Sequence, residues 1–416
     1  MLYLVDILLY KIYNNINIIH NDFGGKTMIL IKNADLVSMA DICHERKDIL
    51  IDGTVIKEIG NIDDSKYPEA EIIDANGRLV TPGLVDPHCH VGLFEDIVGS
   101  VGNDGNETTS PILPELRGID SVKPHDPCFN EALKGGVTTV VTGPGSGEII
   151  GGTFCALKTT GKTIYDMVLR EEVAMKMALG ENPKRVFGSK NQAPSTRMAN
   201  AAMLREALFK AKDYYEKKKE YVKNKADGKE DAKKPEFNMK WESLSRVFDG
   251  FLVKIHAHQE DDITTAMRII EEFNLNATIE HCTSGWKIAE TLAAKNQRCI
   301  IGPTLGTKSK VELKDKSFDA GRVLKEHGVE FAIMTDHPVV PLEHTLTQAA
   351  IFVKHGLSEL DTLKAMTINA AKITGIDDRV GSIEVGKDAD IVIWSGDPFH
   401  YMTKAETVII NGKVVL

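Results

Sequence analysis

Eight apolar runs of β-type sequence recur through the middle of the chain, with segments of helical character between them. Strands that alternate with helices build a parallel sheet, because a parallel crossover is long enough to contain a helix. Eight such units predict an α/β fold, a (β/α)8 TIM barrel, with functional residues at the carboxyl ends of its strands. The runs are 79–85, 137–142, 153–157, 173–178, 251–255, 277–279, 299–301 and 331–334.

Both ends of the chain carry short β-type runs separated by turn signals such as Asp52-Gly53 and Asn76-Gly77. We therefore expect the two termini to meet in space and form a small β-sandwich beside the barrel. The predicted divisions are an N-terminal extension over 1–27 (a disordered segment or a start-site artefact), a β-sandwich from 28–83 plus 380–416, and the barrel over 84–379, with a charged helix and insertion near 204–240.

The net charge indicates the kind of partner, and the cysteine spacing indicates the cellular compartment. The net charge of −10 argues against nucleic acid or an anionic membrane, so a small-molecule substrate is expected, and a homo-oligomer stays open. The six cysteines show no CxxC spacing, which is typical of free thiols in a reducing compartment. The sequence therefore predicts a cytoplasmic enzyme.

Metal-ligand residue types follow several of the apolar runs. His88 and His90 come directly after the first run, and residues two apart on a strand point to the same side. His256 and His258 follow the fifth run with the same spacing, while His281 and Asp336 follow the sixth and the eighth. Imidazole and carboxylate groups suit zinc, manganese or ferrous iron. The convergence of strand ends in a barrel therefore predicts a metal site.

Two longer segments carry a family resemblance. The sequences PGLVDPHCH at 82–90 and GSIEVGKDADIVIW at 381–394 resemble the two hallmark segments of the amidohydrolase superfamily. The likeness covers about residues 28–416 and is greatest to the imidazolonepropionase-related branch. It implies a metal-dependent hydrolase with a barrel and a β-sandwich made from both termini.

The resemblance also implies a ligand set for one or two divalent ions, with zinc expected and iron or manganese as alternatives. By that resemblance His88, His90, one histidine of the fifth strand and Asp336 bind metal, and His281 binds the same ion or a second one. Spacing alone does not choose between His256 and His258. The family pattern of His followed by Ala favours His256 as the ligand and places His258 near the substrate.

A binuclear site of this kind would need a lysine on the fourth strand, carboxylated to bridge the two ions. Lys176 is the candidate, because a lysine within an apolar strand is costly to bury as a free ammonium. Lys158 and Glu181 are the rivals for this position. If Lys176 merely forms an ion pair, the site holds one metal.

The chemistry expected of such a site is hydrolysis by a metal-bound hydroxide. Asp336 would act as general base and then as acid towards the leaving nitrogen, and His281 or His258 would stabilise the developing oxyanion. Near the mouth, Glu107 lies in the glycine-rich loop 102–109, and we expect it to contact substrate. Arg117 is a candidate for holding a substrate carboxylate.

The leading functional hypothesis is a metal-dependent hydrolase of amide or cyclic amide and amidine C–N bonds in a small molecule. The fifth-strand sequence HAHQE at 256–260 departs from the HADE type usual for imidazolonepropionase, so the substrate stays open. The alternative is a prolidase-like metallo-dipeptidase with a binuclear site. A remote alternative is a non-catalytic scaffold, although such proteins usually lose ligands and here none is missing.

Overall fold

The computed structural model describes residues 28–96, 98–229 and 231–416 of the 416-residue chain. Two eight-stranded sheets dominate this part of the molecule. The extension predicted for residues 1–27 lies outside the described residues.

The first sheet joins the two ends of the chain. Its middle strand β5 runs parallel to β1 and antiparallel to β14, so early and late segments share one set of ladder hydrogen bonds. Its fully buried aliphatic side chains form a cluster of their own, including Ile31, Ile49 and Ile391. The strands are β1 (Met28–Val37), β2 (Cys43–Asp52), β3 (Val55–Gly60), β4 (Glu71–Asp74), β5 (Leu79–Pro82), β14 (Ile391–Trp394), β15 (Ala405–Ile410) and β16 (Lys413–Val414).

The second sheet curls into a nearly closed barrel whose strand order follows the chain from β6 to β13. Its first and last strands approach where the amide of Asp336 donates to the carbonyl of His88 at 3.1 Å and the amide of His90 donates to that of His337 at 2.9 Å. The strands are β6 (Leu84–Cys89), β7 (Val137–Thr142), β8 (Ile150–Lys158), β9 (Val168–Ala178), β10 (Leu252–Ala257), β11 (Ala277–His281), β12 (Arg298–Ile301) and β13 (Phe331–Ile333).

One strand departs from the predicted alternation. The eight apolar runs match the eight barrel strands closely, except that the first run is divided between β5 and β6. However, β8 pairs antiparallel with both β7 and β9, while all the other ladders of the barrel are parallel. The connection from β7 to β8 spans residues 143–149, which is too short for a crossover helix, since a parallel connection needs about a dozen residues.

Helices cover the outside of the barrel, and the longest, α4, begins earlier than the sequence suggested. Thr196 caps it by accepting a hydrogen bond from the amide of Ala199, and Leu204 and Leu208 lie on its buried side. The helices are α1 (Cys128–Lys134), α2 (Ile164–Met167), α3 (Glu181–Gly188), α4 (Arg197–Ala226), α5 (Met239–Ser245), α6 (Glu260–Phe273), α7 (Ala289–Ala294), α8 (Ala320–Glu326), α9 (Thr345–Lys354), α10 (Glu359–Ala365) and α11 (Ile368–Thr374).

Buried polar contacts join the barrel to the terminal sheet. Lys158, at the end of β8, lies 2.9 Å from an oxygen of Asp388 and 2.7 Å from one of Asp390. Within the terminal sheet itself, the indole of Trp394 donates to the hydroxyl of Thr81 at 2.9 Å. Because β8 is antiparallel, Lys158 lies beside the beginning of β7, at the opposite end of the barrel from the predicted metal ligands. Its position therefore argues against Lys158 as the bridging residue.

Two further sequence-based expectations concern compartment. Among the described residues, no helix combines the length and the apolar character that crossing a membrane requires. All six cysteines are free, and five of them are buried. The cytoplasmic location itself stays a prediction.

Candidate metal-binding active site

The ends of β6, β10, β11 and β13 meet at one rim of the barrel and bring the predicted ligands together. Nε2 of His90 lies 3.1 Å from Oδ1 of Asp336, and Nε2 of His88 lies 3.7 Å from the same oxygen. His281 enters from β11. Ligand atoms of His88, His281 and Asp336 all lie within 4.8 Å of one another, which is close enough for them to share one ion.

Three of these imidazoles are oriented by hydrogen bonds from Nδ1. His88 donates to Glu280 Oε2 at 2.5 Å, His90 donates to the Gly143 carbonyl at 2.8 Å, and His281 donates to the Gly302 carbonyl at 3.0 Å. A neutral imidazole that donates from Nδ1 has an unprotonated Nε2, the usual arrangement of a histidine that binds metal. Nε2 of His90 and Oδ1 of Asp336 are then two electron-pair donors facing each other, an arrangement that a cation between them would stabilise.

A second group lies beside the first. Ligand atoms of His256, His258 and His281 also lie within 4.8 Å of one another, and the ring centroids of His256 and His258 are each 4.4 Å from that of His281. Nδ1 of His258 hydrogen-bonds the Thr283 hydroxyl at 2.7 Å. His281 belongs to both groups, so it lies where one ion or a pair of ions could share it. Both fifth-strand histidines are brought to the site, and the choice between them stays open.

Burial makes these imidazoles suitable ligands. It lowers the pKa of His256 to about 4, and the pKa values of His88, His258 and His281 well below their usual range. They are therefore neutral at neutral pH, the state that binds metal. Nε2 of His256 and of His258 and Oδ1 of Asp336 make no hydrogen bond within the described part of the chain. Unsatisfied buried polar atoms are costly, so the residues present fit a divalent ion.

Lys176 of β9 lies beside His88. Its Nζ is 3.2 Å from Nε2 of His88 and 5.5 Å from the ring centroid of Phe154. Burial lowers the pKa of Lys176 to about 8, although the charges of Glu280 and Asp336 oppose that shift. The structure therefore places Lys176 beside the predicted ligand His88, and its bridging role stays a prediction. The rival Glu181 begins α3, where its backbone amide donates to Glu312.

Two buried charged residues that the sequence analysis did not assign, Glu280 and Lys254, support the predicted ligand His88 from within the barrel. Glu280 is fully buried and accepts from His88, from the Thr278 hydroxyl and from Lys254, whose Nζ is 3.0 Å away. Lys254 also donates to the carbonyl of Pro87 at 3.1 Å. This contact ties β10 and β11 to the strand that carries His88. Glu280 thus fixes both the tautomer and the orientation of that imidazole.

A cavity of about 550 Å³ opens above the histidines. One wall is residues 302–316, here called the β12 loop, which follows β12 and contributes Lys310 and Lys316 to the lining. Glu312 of the same loop is buried, with Oε1 3.5 Å from Nε2 of His258 and 3.9 Å from Nε2 of His256. Burial alone would raise the pKa of Glu312. Its contact with His256 and the positive charge of Lys310 outweigh burial, so the pKa of Glu312 is lowered. The other side is lined by Phe94, Asn106, Ser146, Asn182 and Val339.

Glu148 is a second buried acid that sequence reasoning missed. It lies in the connection between β7 and β8, is 1% exposed, and neither of its carboxylate oxygens has a hydrogen-bond partner among the described residues. Burial raises its pKa to about 7, with the charge of Glu107 acting in the same direction and that of Lys176 against it. Nothing in the local sequence GSGEIIGG distinguishes this glutamate from a turn residue.

The two predicted substrate contacts do not line the cavity. Glu107 is exposed and accepts from the Thr109 amide and hydroxyl, although its neighbour Asn106 does reach the lining. Arg117 lies 2.7 Å from Glu171 at the surface. Its guanidinium is therefore already paired with a carboxylate of this chain, and both expectations are corrected by this placement.

Histidine and aspartate side chains that fit a divalent ion at one rim of a barrel are typical of metal-dependent hydrolases. Comparison with known proteins identifies the family. The family model described as "Amidohydrolase family" matches residues 79–415. The chain therefore belongs to the amidohydrolase family and is a hydrolase that acts on carbon–nitrogen bonds, as predicted.

Two curated relatives give the range of similarity. The chain is 30% identical over 389 residues to the amidohydrolase tasK of Hapsidospora irregularis, covering 88% of this chain but 39% of that protein. It thus spans about two-fifths of that relative's length. The chain is 26% identical over 394 residues to an imidazolonepropionase of Bacillus cereus, and 88% of each chain is covered.

Solved structures support the fold. An amidohydrolase from Thermotoga maritima is 41% identical with a TM-score of 0.87, covering 93% of this chain and 99% of that one. A Xaa-Pro dipeptidase is 20% identical with a TM-score of 0.54, covering 93% and 99%. At that identity the second likeness concerns the fold alone.

Proposed function

We propose that this protein is a metal-dependent hydrolase of amide, cyclic amide or amidine bonds in a small molecule. The observation that carries the proposal is the approach of His90 Nε2 to Asp336 Oδ1 at 3.1 Å while Nδ1 of His90 donates to a backbone carbonyl. A neutral His90 that donates from Nδ1 faces Asp336 with the lone pair of Nε2, and a cation would satisfy both electron-pair donors.

His88, His90, Asp336 and His281 would hold the ion, with His256 or His258 completing the set. A divalent metal ion bound there supplies a Lewis acid for the substrate carbonyl and lowers the pKa of a bound water towards about 7. Asp336 is the group positioned to take a proton from water and return it to the leaving nitrogen. His258 borders the cavity and is placed to donate a hydrogen bond to a developing oxyanion, which is the substrate-side role predicted for it.

The number of ions depends on Lys176. Its Nζ is 3.2 Å from a predicted ligand, and in the described part of the chain it makes no ion pair with a carboxylate. A carboxylated Lys176 would bridge two ions held by the His88 and His256 groups, and this favours a binuclear centre, with zinc as the expected metal.

The metallo-dipeptidase alternative gains support from this same lysine, because a binuclear centre is its expected mark. The names of two relatives, imidazolonepropionase and Xaa-Pro dipeptidase, correspond to the two candidate functions. The scaffold alternative has no supporting feature, since every predicted ligand reaches the rim. We further propose that the terminal sheet closes into a β-sandwich over 28–83 and 380–416.

Metal analysis and hydrolysis assays on the same preparation test the proposal. Protein purified without chelators is expected to hold one or two equivalents of metal and to hydrolyse members of a panel of N-acetyl amino acids, dipeptides and cyclic ureides. A value near two that falls in Lys176→Met would support the bridging role. Metal-free protein with undiminished hydrolysis would overturn the proposal.

A further inference from the structure

Resting on the hydrolase function proposed above, we propose that Lys316 binds an anionic group of the substrate, a carboxylate, at the wall of the cavity that the β12 loop forms. The β12 loop carries this residue, and it contributes nothing to the predicted ligand set. The proposal therefore concerns which small molecules the site accepts.

The cavity lining holds two ammonium groups in very different surroundings. Lys310 lies 3.3 Å from Oε1 of Glu312 and 3.0 Å from the side-chain oxygen of Asn182, so its charge is neutralised by its own chain. Lys316 donates to the carbonyls of Gly306 and Thr307, at 3.1 and 3.4 Å. Those partners are uncharged, and an ammonium has three N–H donors, so one donor and the full positive charge of Lys316 are left for a ligand.

The rest of the lining makes Lys316 the cation available to a substrate. Within the described residues, no carboxylate lies within ion-pair distance of Lys316, and no arginine lines the cavity. Burial lowers the pKa of Lys316, and a carboxylate beside the ammonium would oppose that shift. Arg117, the sequence-based candidate for this role, is already paired with Glu171.

The surroundings of the Lys316 ammonium favour a carboxylate over a neutral polar group as its ligand. A charge-assisted hydrogen bond is about twice as strong as a neutral one, and a half-buried ammonium without a counterion gains most from a charged partner. Replacing the carboxylate by a carboxamide removes the charge while preserving size and shape. The two compounds of such a pair should therefore differ in affinity by about tenfold.

The test uses full-length, metal-loaded protein and N-acetyl amino acids, each paired with its carboxamide. The variant is Lys316→Met, with Lys316→Arg as the conservative substitution and Lys308→Met as the matched control. Lys308 is an exposed lysine of the same loop that donates to the carbonyl of Lys314. Acetyl-group release gives kcat/KM for each compound, and calorimetric titration gives Kd for any compound that is not hydrolysed.

We expect an about tenfold preference for the free acid over the carboxamide in wild type, in Lys308→Met and in Lys316→Arg. Lys316→Met should lose this preference because only its affinity for the acid decreases. If Lys316 only braces the β12 loop, acid and amide weaken together in Lys316→Met, and the proposal is wrong. It is equally wrong if wild type shows no preference for any acid in the panel. Absence of hydrolysis throughout would overturn the proposed function, while the titrations would still decide the role of Lys316.

Discussion

Two buried lysines on neighbouring barrel strands show how differently the two ends of this molecule are built. Lys158, at one end of β8, has carboxylate oxygens of Asp388 and Asp390 at 2.9 and 2.7 Å. Lys176, at the other end of the barrel on β9, has a neutral imidazole nitrogen at 3.2 Å. At the first end the charges are satisfied by the chain itself. At the second end, buried polar atoms have no hydrogen-bond partner among the described residues and are available to a bound ion or substrate.

The comparison teaches that buried imidazole and carboxylate groups without a partner, more than burial itself, mark the functional end. His256, His258, Asp336 and Glu148 all contain buried atoms without a hydrogen-bond partner in the described residues, and all lie at or near the rim. Leaving such groups unpaired lowers the stability of the metal-free protein. Substitutions at the rim should therefore affect activity most, and substitutions at the opposite end should affect stability most.

The largest expected effect is on catalysis. Asp336→Asn removes the carboxylate proposed as both proton acceptor and metal ligand, and should lower kcat/KM by about 10²–10⁴-fold. The measurement is the hydrolysis rate of the panel substrate that wild type turns over fastest, together with bound metal. The unfolding free energy of the metal-free variant should stay close to that of wild type, and a variant with full activity would refute the assignment.

The next effect concerns the opposite end. Lys158→Met leaves Asp388 and Asp390 buried near each other, and breaking a buried pair in this way costs about 3–5 kcal/mol. Arg379, which lies 2.6 Å from Asp388, should keep the loss near the lower figure. Denaturant unfolding monitored by circular dichroism measures it. Folded Lys158→Met protein should retain its metal content and kcat; a stable variant with lost activity would contradict the division between the two ends.

A smaller, pH-dependent effect is expected from Glu148. Its pKa is raised to about 7 in the folded protein from an ordinary 4.5, so the folded state binds that proton more tightly than the unfolded chain. This contribution to stability is complete below pH 4.5 and is lost as the pH rises through 7. Relative to Glu148→Gln, wild type should lose about 3 kcal/mol of unfolding free energy between pH 4.5 and pH 8. Parallel pH profiles would disprove the shift.

The smallest expected effect is that of Lys176→Met on the metal-free protein. Because its ammonium has no carboxylate partner among the described residues, an apolar side chain of similar length should change the unfolding free energy by less than about 1 kcal/mol. Chelator-treated protein in denaturant titrations provides the measurement. A loss as large as that of Lys158→Met would remove the contrast between the two lysines.

Periodicity predicted the strands, and alternation along them predicted which side chains would meet. His88 and His90 share a face, and so do His256 and His258, because the strand period is two. The orientation of β8 could have been inferred from its seven-residue link, but the apolar pattern of a buried strand carries no direction. Glu280 directly precedes the predicted ligand His281 in the sequence, yet only the folded structure shows that its carboxylate accepts from His88 and Lys254.

Residues in loops were the least predictable part of the site. Glu107 is predicted from its glycine-rich loop and Arg117 from the fit of a guanidinium to a carboxylate, whereas Lys310 and Lys316, which line the cavity, belong to a segment without periodicity. A local pattern does not reveal which loop reaches the cavity, since that depends on contacts between segments far apart in the chain.

The β12 loop adds no strand to either sheet, yet it borders the cavity, brings Glu312 to 3.5 Å from His258, and contains the short helical turn Val311–Leu313. Its length and composition can therefore change during evolution while the metal-binding side chains stay in register. One scaffold of this kind could acquire new selectivity by exchanging a single surface segment, and grafting residues 302–316 between relatives would be a direct route to redesigning what the enzyme accepts.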